Sequence, residues 1–322
     1  MENERFLVTG SGGCIGAWAV ATLVREGTDV VAFDVSENLT RLRLLLDDSE
    51  LEGVEHVQGD IRDRDTLVSL VIDGGFSHIV HLAGLQVPFC IADPVLGSQV
   101  NVTGTINVFE AARHSNSAIR GLSYASSVAV FGPEDLYADG IASDGSPLSP
   151  RTLYGTYKQA NEGAARVYAA DWDVGSVGLR PCIVYGPGRD QGLTSDVTKA
   201  MLAAAAGRNA HIGFGGSSTF QHAEDMAAIF IEAARVGSGA ARVHNVHGPT
   251  VEIAEIARLI SDEVGVEVSV AEESLPLPRG VDGSPLAELL GERGSQRSIE
   301  EGISQSIEQF RRLLSSGKLT VS

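Results

Sequence analysis

A tyrosine and a lysine four positions apart are the residues of this chain best suited to proton transfer. Tyr154 and Lys158 stand in the segment YGTYK, within a predicted helix. Residues four apart share one face of a helix, whereas Tyr157 adjoins the lysine and points elsewhere. A phenol ordinarily has a pKa of about 10, and a neighbouring ammonium favours the phenolate. We therefore predict that Tyr154 exchanges a proton with a substrate oxygen, assisted by Lys158.

Two serines end a predicted strand in the segment SYASSVAVFG. They are Ser126 and Ser127, and they lie at the carboxyl edge where open α/β sheets bind ligands. A hydroxyl there can donate a hydrogen bond to a reacting oxygen. The alternative is that both serines only satisfy backbone groups where the strand ends.

A glycine-rich turn near the amino terminus has the spacing of a dinucleotide site. The segment TGSGGCIG places Gly10, Gly13 and Gly16 between a predicted strand and a predicted helix. Glycine permits positive φ and close approach of the backbone to a pyrophosphate, and a helix amino terminus favours an anion. We expect Cys14 and Ile15, with the three glycines, to contact a bound dinucleotide.

An aspartate at the end of the second predicted strand distinguishes between two cofactors. Asp34 follows Gly16 by 18 residues, where a carboxylate accepts hydrogen bonds from the ribose hydroxyls of NAD. It would repel the 2′-phosphate of NADP. No basic residue stands at 35–37, and Arg41 and Arg43 fall on the next predicted helix. The alternative is an aspartate that only caps a helix.

Short β-rich segments alternate with amphipathic helical patterns, which predicts parallel β-α-β units. Strands are predicted at residues 6–9, 30–34, 54–59, 78–82, 121–126 and 175–180. Helices are predicted at residues 16–26, 97–114, 154–170 and 199–207. The expected fold is α/β, a doubly wound parallel (Rossmann) sheet with a smaller C-terminal substrate-binding lobe.

The pattern also predicts how the chain divides. Residues 1–186 are expected to form an NAD-binding Rossmann domain, to which residues 217–249 return. Residues 187–216 and 250–322 are expected to form the small substrate-binding lobe. Turn-rich stretches, among them GPGRDQGLTS and SLPLPRGVDGSPL, mark that lobe.

Composition limits the partners. With 24 basic and 42 acidic residues, the net charge of -18 argues against binding to nucleic acid or to an anionic membrane surface. The three cysteines are odd in number and lack metal-site spacing, so reduced thiols are expected. A cytoplasmic location is expected because no basic segment followed by an apolar run opens the sequence and nowhere do eighteen apolar residues run together. No metal is expected, because His78 and His81 flank a predicted buried strand.

These features resemble the extended short-chain dehydrogenase/reductase family, the NAD-dependent epimerase/dehydratase group. Beyond TGSGGCIG and YGTYK, the resemblance rests on GDIRD, HLAG, NVTGTINVFEAA, SSVAVFG and LRPCIVYGPG. It implies that NAD is the cofactor and that Ser127 is the catalytic hydroxyl. It also implies a homodimer that packs two helices of each subunit, here 97–114 and 154–170, into a four-helix bundle.

The resemblance implies further cofactor contacts. They are Asp60 and Ile61 at the adenine, Leu82, Ala83 and Gly84 in the HLAG turn, Asn101 in the NVTG segment, Ser126 beside the nicotinamide, Lys158 at its ribose, and Pro181 and Ile183 at the carboxamide.

Two departures from the family bear on the substrate. Nucleotide-sugar members often have an asparagine where this chain has Ile183. They also often carry a diphosphate-binding arginine just before the segment FQHAED, where this chain has Ser218 and Thr219. A diphosphate thereby loses a strong bidentate contact. Three arginines remain as substitutes, and the spacing does not choose among them: Arg189, Arg208 and Arg242.

The sequence therefore predicts an NAD-dependent oxidoreductase that transfers hydride at the secondary alcohol or ketone carbon of a small polar, sugar-like or hydroxy substrate. The main alternative is an NAD-dependent nucleotide-sugar 4-epimerase of the UDP-hexose type. A dehydratase is disfavoured, because Val128 and Ala129 replace the Asp-Glu pair of that branch. A non-catalytic NAD-binding regulator remains open, as does sensitivity of the cofactor site to oxidation of Cys14.

Overall fold

The computed structural model describes residues 4–115, 118–237 and 239–320. The strands are β1 (Arg5–Thr9), β2 (Asp29–Asp34), β3 (Glu55–Gln58), β4 (His78–His81), β5 (Gly121–Ala125), β6 (Ile141–Ala142), β7 (Ser176–Arg180), β8 (Ile183–Tyr185), β9 (Ala210–Ile212), β10 (Ser217–His222), β11 (Ala241–Asn245), β12 (Thr250–Glu252), β13 (Val268–Val270) and β14 (Gly280–Val281).

The α-helices are α1 (Cys14–Arg25), α2 (Thr40–Leu45), α3 (Asp48–Glu52), α4 (Arg64–Gly74), α5 (Val87–Ala92), α6 (Pro94–Ser98), α7 (Gly104–His114), α8 (Leu153–Trp172), α9 (Asp196–Ala205), α10 (Ala223–Val236), α11 (Ile253–Val264), α12 (Ser284–Leu290) and α13 (Ile299–Ser315). A π-helical segment, Gln99–Thr103, joins α6 to α7. A 3-10 turn, Val128–Val130, follows β5.

Seven parallel strands of the described residues form one sheet, in the order β11-β7-β5-β4-β1-β2-β3. Phe6 of β1 lies opposite Val30 of β2 and His78 of β4. Because a parallel sheet is covered on both faces, alternate residues of β1 enter different cores. Phe6 and Val8 pack on the side of α1 and α10, whereas Leu7 packs on the side of α4 and α7. The predicted doubly wound α/β fold is confirmed.

The strand order places a crevice at one end of the sheet. The chain runs from β1 to β2 and β3 in one direction, and from β4 to β5, β7 and β11 in the other. The order therefore reverses between β1 and β4. In open α/β sheets, ligands bind beyond the carboxyl ends of the strands at such a reversal. The segments after β1, β4 and β5 all meet there.

A second apolar core lies beside the main sheet and is built from β8, β10, α9, α11 and α13. Its largest buried members include Tyr185, Met201, Phe220, Ile256 and Phe310. β10 pairs with β8 and β12 in a separate three-stranded sheet, whereas β11 lies beside β7 in the main sheet. The division into an NAD-binding domain and a substrate-binding lobe stays a prediction.

Candidate active site

A cavity of about 300 Å³ opens beyond the carboxyl ends of β1, β4 and β5. Most of the residues that the sequence predicts for the cofactor and the chemistry line it. They are Gly10, Gly13, Cys14, Ile15, Gly16, Leu82, Gly84, Ser126, Ser127, Tyr154, Lys158, Pro181 and Ile183. The tertiary structure thus brings the glycine turn and the Tyr-Lys pair, 138 positions apart when measured from Gly16 to Tyr154, to one place.

The glycine turn has the geometry that a pyrophosphate requires. Gly10 has φ +72°, and a Cβ on it would meet the backbone nitrogen of Ala83 at 2.5 Å. A Cβ on Gly16 would overlap the carbonyl oxygen of Gly10. α1 begins at Cys14, and its first turn carries no acidic residue. Because α1 starts directly after the turn, its free N–H groups and the positive end of its dipole face the turn. These residues therefore fit a bound dinucleotide.

Asp34 lies at the end of β2, beside the glycine turn. Its Oδ2 accepts a hydrogen bond from the N–H of Gly12 at 3.0 Å, and its Oδ1 accepts one from Ser36 at 3.0 Å. Arg41 binds the same turn, because its Nη1 donates to the carbonyl oxygen of Gly12 at 2.7 Å. Its Nη2 pairs with Asp190 at 2.6 Å. Arg41 is thus already engaged, and this arrangement suits ribose hydroxyls better than a 2′-phosphate.

The start of α8 brings Tyr154 to Ser127. The Thr152 side chain caps α8 by accepting a hydrogen bond from the N–H of Gly155 at 3.0 Å. A Cβ on Gly155 would overlap the carbonyl oxygen of Ala129, so glycine allows α8 to approach the 3-10 turn closely. Tyr154 lies in this first turn, close enough to Ser127 for that side chain to lower the pKa of the phenol. The cap and the glycine therefore position the phenol.

Lys158 faces the same cavity as Tyr154, as the helical spacing predicts. Its Nζ lies 5.5 Å from the centre of the Tyr154 ring and donates a hydrogen bond to the carbonyl oxygen of Ala125 at 2.8 Å. Burial lowers the pKa of Lys158 to about 8. Tyr157 lies elsewhere and donates its hydroxyl to the carbonyl oxygen of Pro94.

The pKa of Tyr154 is determined mainly by burial. Burial raises the pKa of Tyr154, and the hydrogen bond with Ser127 and the charge of Arg189 offset only part of that rise. Removing a phenol from water penalises its anion, and this effect outweighs the neighbouring charges. Among the protein's own groups the neutral phenol is therefore favoured, and the expectation that the ammonium of Lys158 together with the positive nicotinamide ring favours the phenolate stays a prediction.

The two serines at the end of β5 face different surroundings. The Ser127 Oγ accepts a hydrogen bond from the N–H of Ala129 at 3.1 Å and reaches Tyr154. The Ser126 hydroxyl instead donates to Glu162 at 2.5 Å. Glu162 forms a buried ion pair with Arg180 at 2.8 Å. Sequence reasoning missed this pair, although Glu162 follows Lys158 by four positions and so shares its helix face.

A model of the NAD dependent epimerase/dehydratase family matches residues 6–246. The chain belongs to this family. The family match thereby confirms the prediction that the protein is an enzyme that uses NAD.

Relatives within the epimerase/dehydratase family cover nearly the whole chain. The UDP-glucose 4-epimerase of Mycolicibacterium smegmatis is 30% identical over 322 residues, spanning 95% of this chain and 98% of that protein. The structure of MoeE5 in complex with UDP-glucose and NAD matches with a TM-score of 0.78 and 27% identity, covering 96% of this chain and 99% of that one. The structure of the UDP-glucose 4-epimerase of Thermus thermophilus in complex with NAD matches with a TM-score of 0.79 and 25% identity, covering 95% of this chain and 99% of that one.

Besides Asp34, four predicted cofactor residues do not line the cavity. Ala83 packs its backbone on Gly10. Asp60 pairs with Arg62 at 2.5 Å. Ile61 is buried against α7, and its carbonyl oxygen accepts a hydrogen bond from Asn107 at 2.9 Å. The roles of Asp60 and Ile61 at the adenine stay predictions.

Asn101, the fourth of these residues, lies on the π-helical segment. Its Nδ2 donates to the carbonyl oxygens of Leu85 and Gly97 at 3.1 and 3.0 Å. A Cβ on Gly84 would lie 2.8 Å from the Oδ1 of Asn101 and 3.5 Å from the Nζ of Lys158. Asn101 and Lys158 therefore converge on Gly84, which lines the cavity, and π-helical turns often occur at functional sites.

The structure separates the three candidate arginines. Arg189 lines the cavity, whereas Arg208 is exposed after α9 and Arg242 is exposed on β11. Arg151, at the rim, also lines the cavity and was missed by sequence reasoning. Ser218, at the family's arginine position, is buried. No periodic pattern marks a loop arginine, so the sequence could not have chosen among them.

The cysteines of the site have shifted pKa values. Burial raises the pKa of both Cys14 and Cys182 to about 12, which opposes thiolate chemistry at neutral pH.

Within residues 4–115, 118–237 and 239–320, no group of three or more His, Cys, Asp or Glu side chains is placed to hold a metal ion. No helix in the described part of the chain has both the length and the hydropathy needed to cross a membrane.

Proposed function

We propose that the protein is an NAD-dependent dehydrogenase/reductase that acts on a secondary alcohol or ketone of a small polar, sugar-like or hydroxy compound. The observation that carries the proposal is the convergence of Ser127, Tyr154 and Lys158 on the cavity that the glycine turn also lines. When bound, NAD accepts or supplies the hydride. The protein supplies the proton transfer and the orientation of the substrate.

Each residue of the set has one task in this proposal. During oxidation Tyr154, as its phenolate, takes the proton of the substrate alcohol and becomes the neutral phenol; during reduction the neutral phenol returns that proton to the substrate oxygen. Ser127, which lies beside that phenol, orients the reacting oxygen. Lys158 is held by the carbonyl oxygen of Ala125 and keeps a positive charge beside the phenol. That charge favours the anion that Tyr154 forms when its proton leaves.

One wall of the cavity is apolar. The segment after β13 crosses the cavity and contributes Leu275, Pro276 and Leu277 to its lining. One end of this segment is fixed where the N–H of Gly215 donates to Glu273 at 2.8 Å. At the other end, β14 pairs with β6. The reacting carbon is therefore expected beside an apolar wall that is anchored at both ends.

The alternative is a nucleotide-sugar 4-epimerase, in which the same three residues oxidise and re-reduce one carbon while the cofactor stays bound. The near full-length similarity to the UDP-glucose 4-epimerase of Mycolicibacterium smegmatis favours it. Ile183 opposes it, because nucleotide-sugar members often have asparagine there, and so do Ser218 and Thr219, because those members often have an arginine just before the FQHAED segment.

The test is accumulation of NADH when the purified protein and excess NAD meet UDP-sugars, free sugars, sugar acids and hydroxy acids. The proposal expects NADH from a non-nucleotide alcohol, and a loss of that signal in Tyr154→Phe but not in Tyr157→Phe. Interconversion of UDP-glucose and its 4-epimer without free NADH would establish the alternative. No turnover of either kind would support the non-catalytic regulator.

We also propose a cytoplasmic homodimer. Its support is the exposure of Val167 and Trp172 on α8, one of the two helices expected in the family's bundle. The three cysteines are free, as expected in a reducing compartment. Light scattering on the eluting protein tests the dimer, and a Val167→Glu change is expected to convert it to monomer.

A further inference from the structure

The cavity is electropositive in a strongly acidic protein. Of the described residues that line it, Arg151, Lys158 and Arg189 are cationic, and none is aspartate or glutamate. The whole chain carries 42 acidic and 24 basic residues, so this sign is opposite to that of the protein. A cleft lined by one sign of charge concentrates ligands of the other sign.

Arg189 has unused hydrogen-bonding capacity in this cavity. Its Nη2 donates to Thr194 at 3.3 Å, but its Nε is buried without a partner. Within the described part of the chain, no carboxylate forms an ion pair with it. The residue as a whole is only partly buried, so an anion entering the cavity can reach the guanidinium and accept the hydrogen bond that the buried Nε does not make within the protein.

The surrounding loop keeps Arg189 in this position. Asp190, its neighbour, is held by Arg41 at 2.6 Å and so does not pair with Arg189. Arg41 also binds the carbonyl oxygen of Gly188 at 3.1 Å, and Trp18 binds that of Pro187 at 2.9 Å. The two residues before the arginine and the one after it are therefore fixed to α1 and α2. The guanidinium remains directed at the cavity.

Arg189 lies between the cofactor turn and the proton-transfer group. Burial raises the pKa of both Cys14 and Tyr154, and the charge of Arg189 lowers both values. A Cβ on Gly192, which has φ +98°, would lie 3.0 Å from its Nη2. Glycine is thus needed there for the loop to fold over the arginine.

We propose that Arg189 is a specificity-determining residue that binds an oxyanion, carboxylate or phosphate, on the substrate. The proposal rests on the oxidoreductase function proposed above and narrows its substrate to an anionic hydroxy compound. Arg151, at the rim, adds a second positive charge along the path of entry. The planar guanidinium matches an oxyanion with two parallel hydrogen bonds. The pyrophosphate of the cofactor is another oxyanion that Arg189 could bind, although the amino terminus of α1 is already placed to bind that pyrophosphate.

The test is calorimetric titration of NAD-saturated protein with matched pairs of compounds. D-glucuronate is compared with D-glucose, glycerate with glycerol, and glucose 6-phosphate with glucose. We expect at least one oxyanion to bind about 10- to 100-fold more tightly than its neutral partner. Arg189→Gln is expected to remove that preference and Arg189→Lys to restore part of it. Arg208→Gln, which changes an exposed arginine outside the cavity, serves as the control and should retain it.

The outcomes separate the possible sources. Preference for glucuronate or glycerate identifies a carboxylate, and preference for glucose 6-phosphate identifies a phosphate. If Arg189→Gln weakens NAD binding by the same factor as oxyanion binding, the arginine serves the cofactor and the proposal fails. It also fails if no oxyanion is preferred, or if the preference survives in both Arg189 variants.

The titrations do not depend on turnover. An oxyanion that binds through Arg189 without forming NADH leaves the anion site standing and overturns the oxidoreductase function. NADH formed from a neutral alcohol, at equal rates in the wild type and in Arg189→Gln, leaves the oxidoreductase standing and overturns the anion site.

Discussion

Lys158 holds its Nζ 5.5 Å from the centre of the Tyr154 ring and is fixed there by a 2.8 Å hydrogen bond to the backbone of β5. The pair lines the cavity, and Ser127 lines it beside the phenol. Burial raises the pKa of Tyr154 and lowers that of Lys158, and titratable groups with shifted pKa values in a cleft are typical of acid/base sites.

Replacement of Tyr154 by phenylalanine is expected to lower kcat by about 10²- to 10⁴-fold, because the substrate oxygen loses its proton acceptor. NAD binding should change little, since the glycine turn is untouched. Steady-state kinetics and NAD titration measure the two effects. Tyr157→Phe removes a hydroxyl from the outer face of the same helix and is the matched control. Full activity in Tyr154→Phe would refute the assigned mechanism.

Lys158 should make stability depend on pH. Its pKa is lowered from 10.5 to about 8, so in the unfolded chain the lysine keeps its proton to higher pH than in the folded protein. Stability therefore rises with pH between about 8 and 10.5, and below that window the buried charge costs about 3 kcal/mol. Urea unfolding at several pH values should show this slope in the wild type and its loss in Lys158→Met. The exposed Lys199→Met is the control. An unchanged slope in Lys158→Met contradicts the assignment.

Asp34 is expected to select NAD. Asp34→Ser removes the acceptor for the ribose hydroxyls and should weaken NAD binding by about 10-fold. NADP binding should not become strong, because Arg41 is already occupied by Gly12 and Asp190. Fluorescence titration with NADH and NADPH measures both. Glu37→Ser, which changes an exposed neighbour, is the control. Tight NADPH binding by Asp34→Ser would show that Arg41 is available after all.

The buried pair of Glu162 and Arg180 is expected to position β5 and α8. Glu162→Ala leaves the guanidinium unpaired and should lower the free energy of unfolding by about 3–5 kcal/mol. The double change to methionine at both positions should cost less, because no charge stays buried. Denaturant unfolding compares them. The exposed pair of Arg258 and Asp262 is the control, and its removal should leave the free energy of unfolding nearly unchanged. Equal losses in the single and double variants would contradict this account.

Cys14 is expected to react slowly despite its place in the cofactor turn. Burial raises its pKa to about 12, so little thiolate is present at neutral pH. Mass spectrometry after treatment with iodoacetamide should find it mostly unmodified, and mild peroxide should leave NAD affinity unchanged. Rapid alkylation at pH 7 would restore the oxidation-sensitive interpretation.

By itself, the sequence determined the features that depend on short-range spacing. Alternating strand and helix patterns predicted the doubly wound sheet, the glycine spacing predicted the turn after β1, and the interval of four predicted that Tyr154 and Lys158 share a face. Such features follow from backbone geometry over a few residues, so the types of neighbouring residues suffice to predict them.

The tertiary structure decided what depends on distant segments. It turned the Ser126 hydroxyl to Glu162, directed Arg189 rather than Arg208 or Arg242 into the cavity, and raised the pKa of Tyr154. Burial is produced by many segments that pack around one group, and its cost depends on all of them together. No local pattern encodes it, which is why the charges and pKa values of the site emerged only from the folded chain.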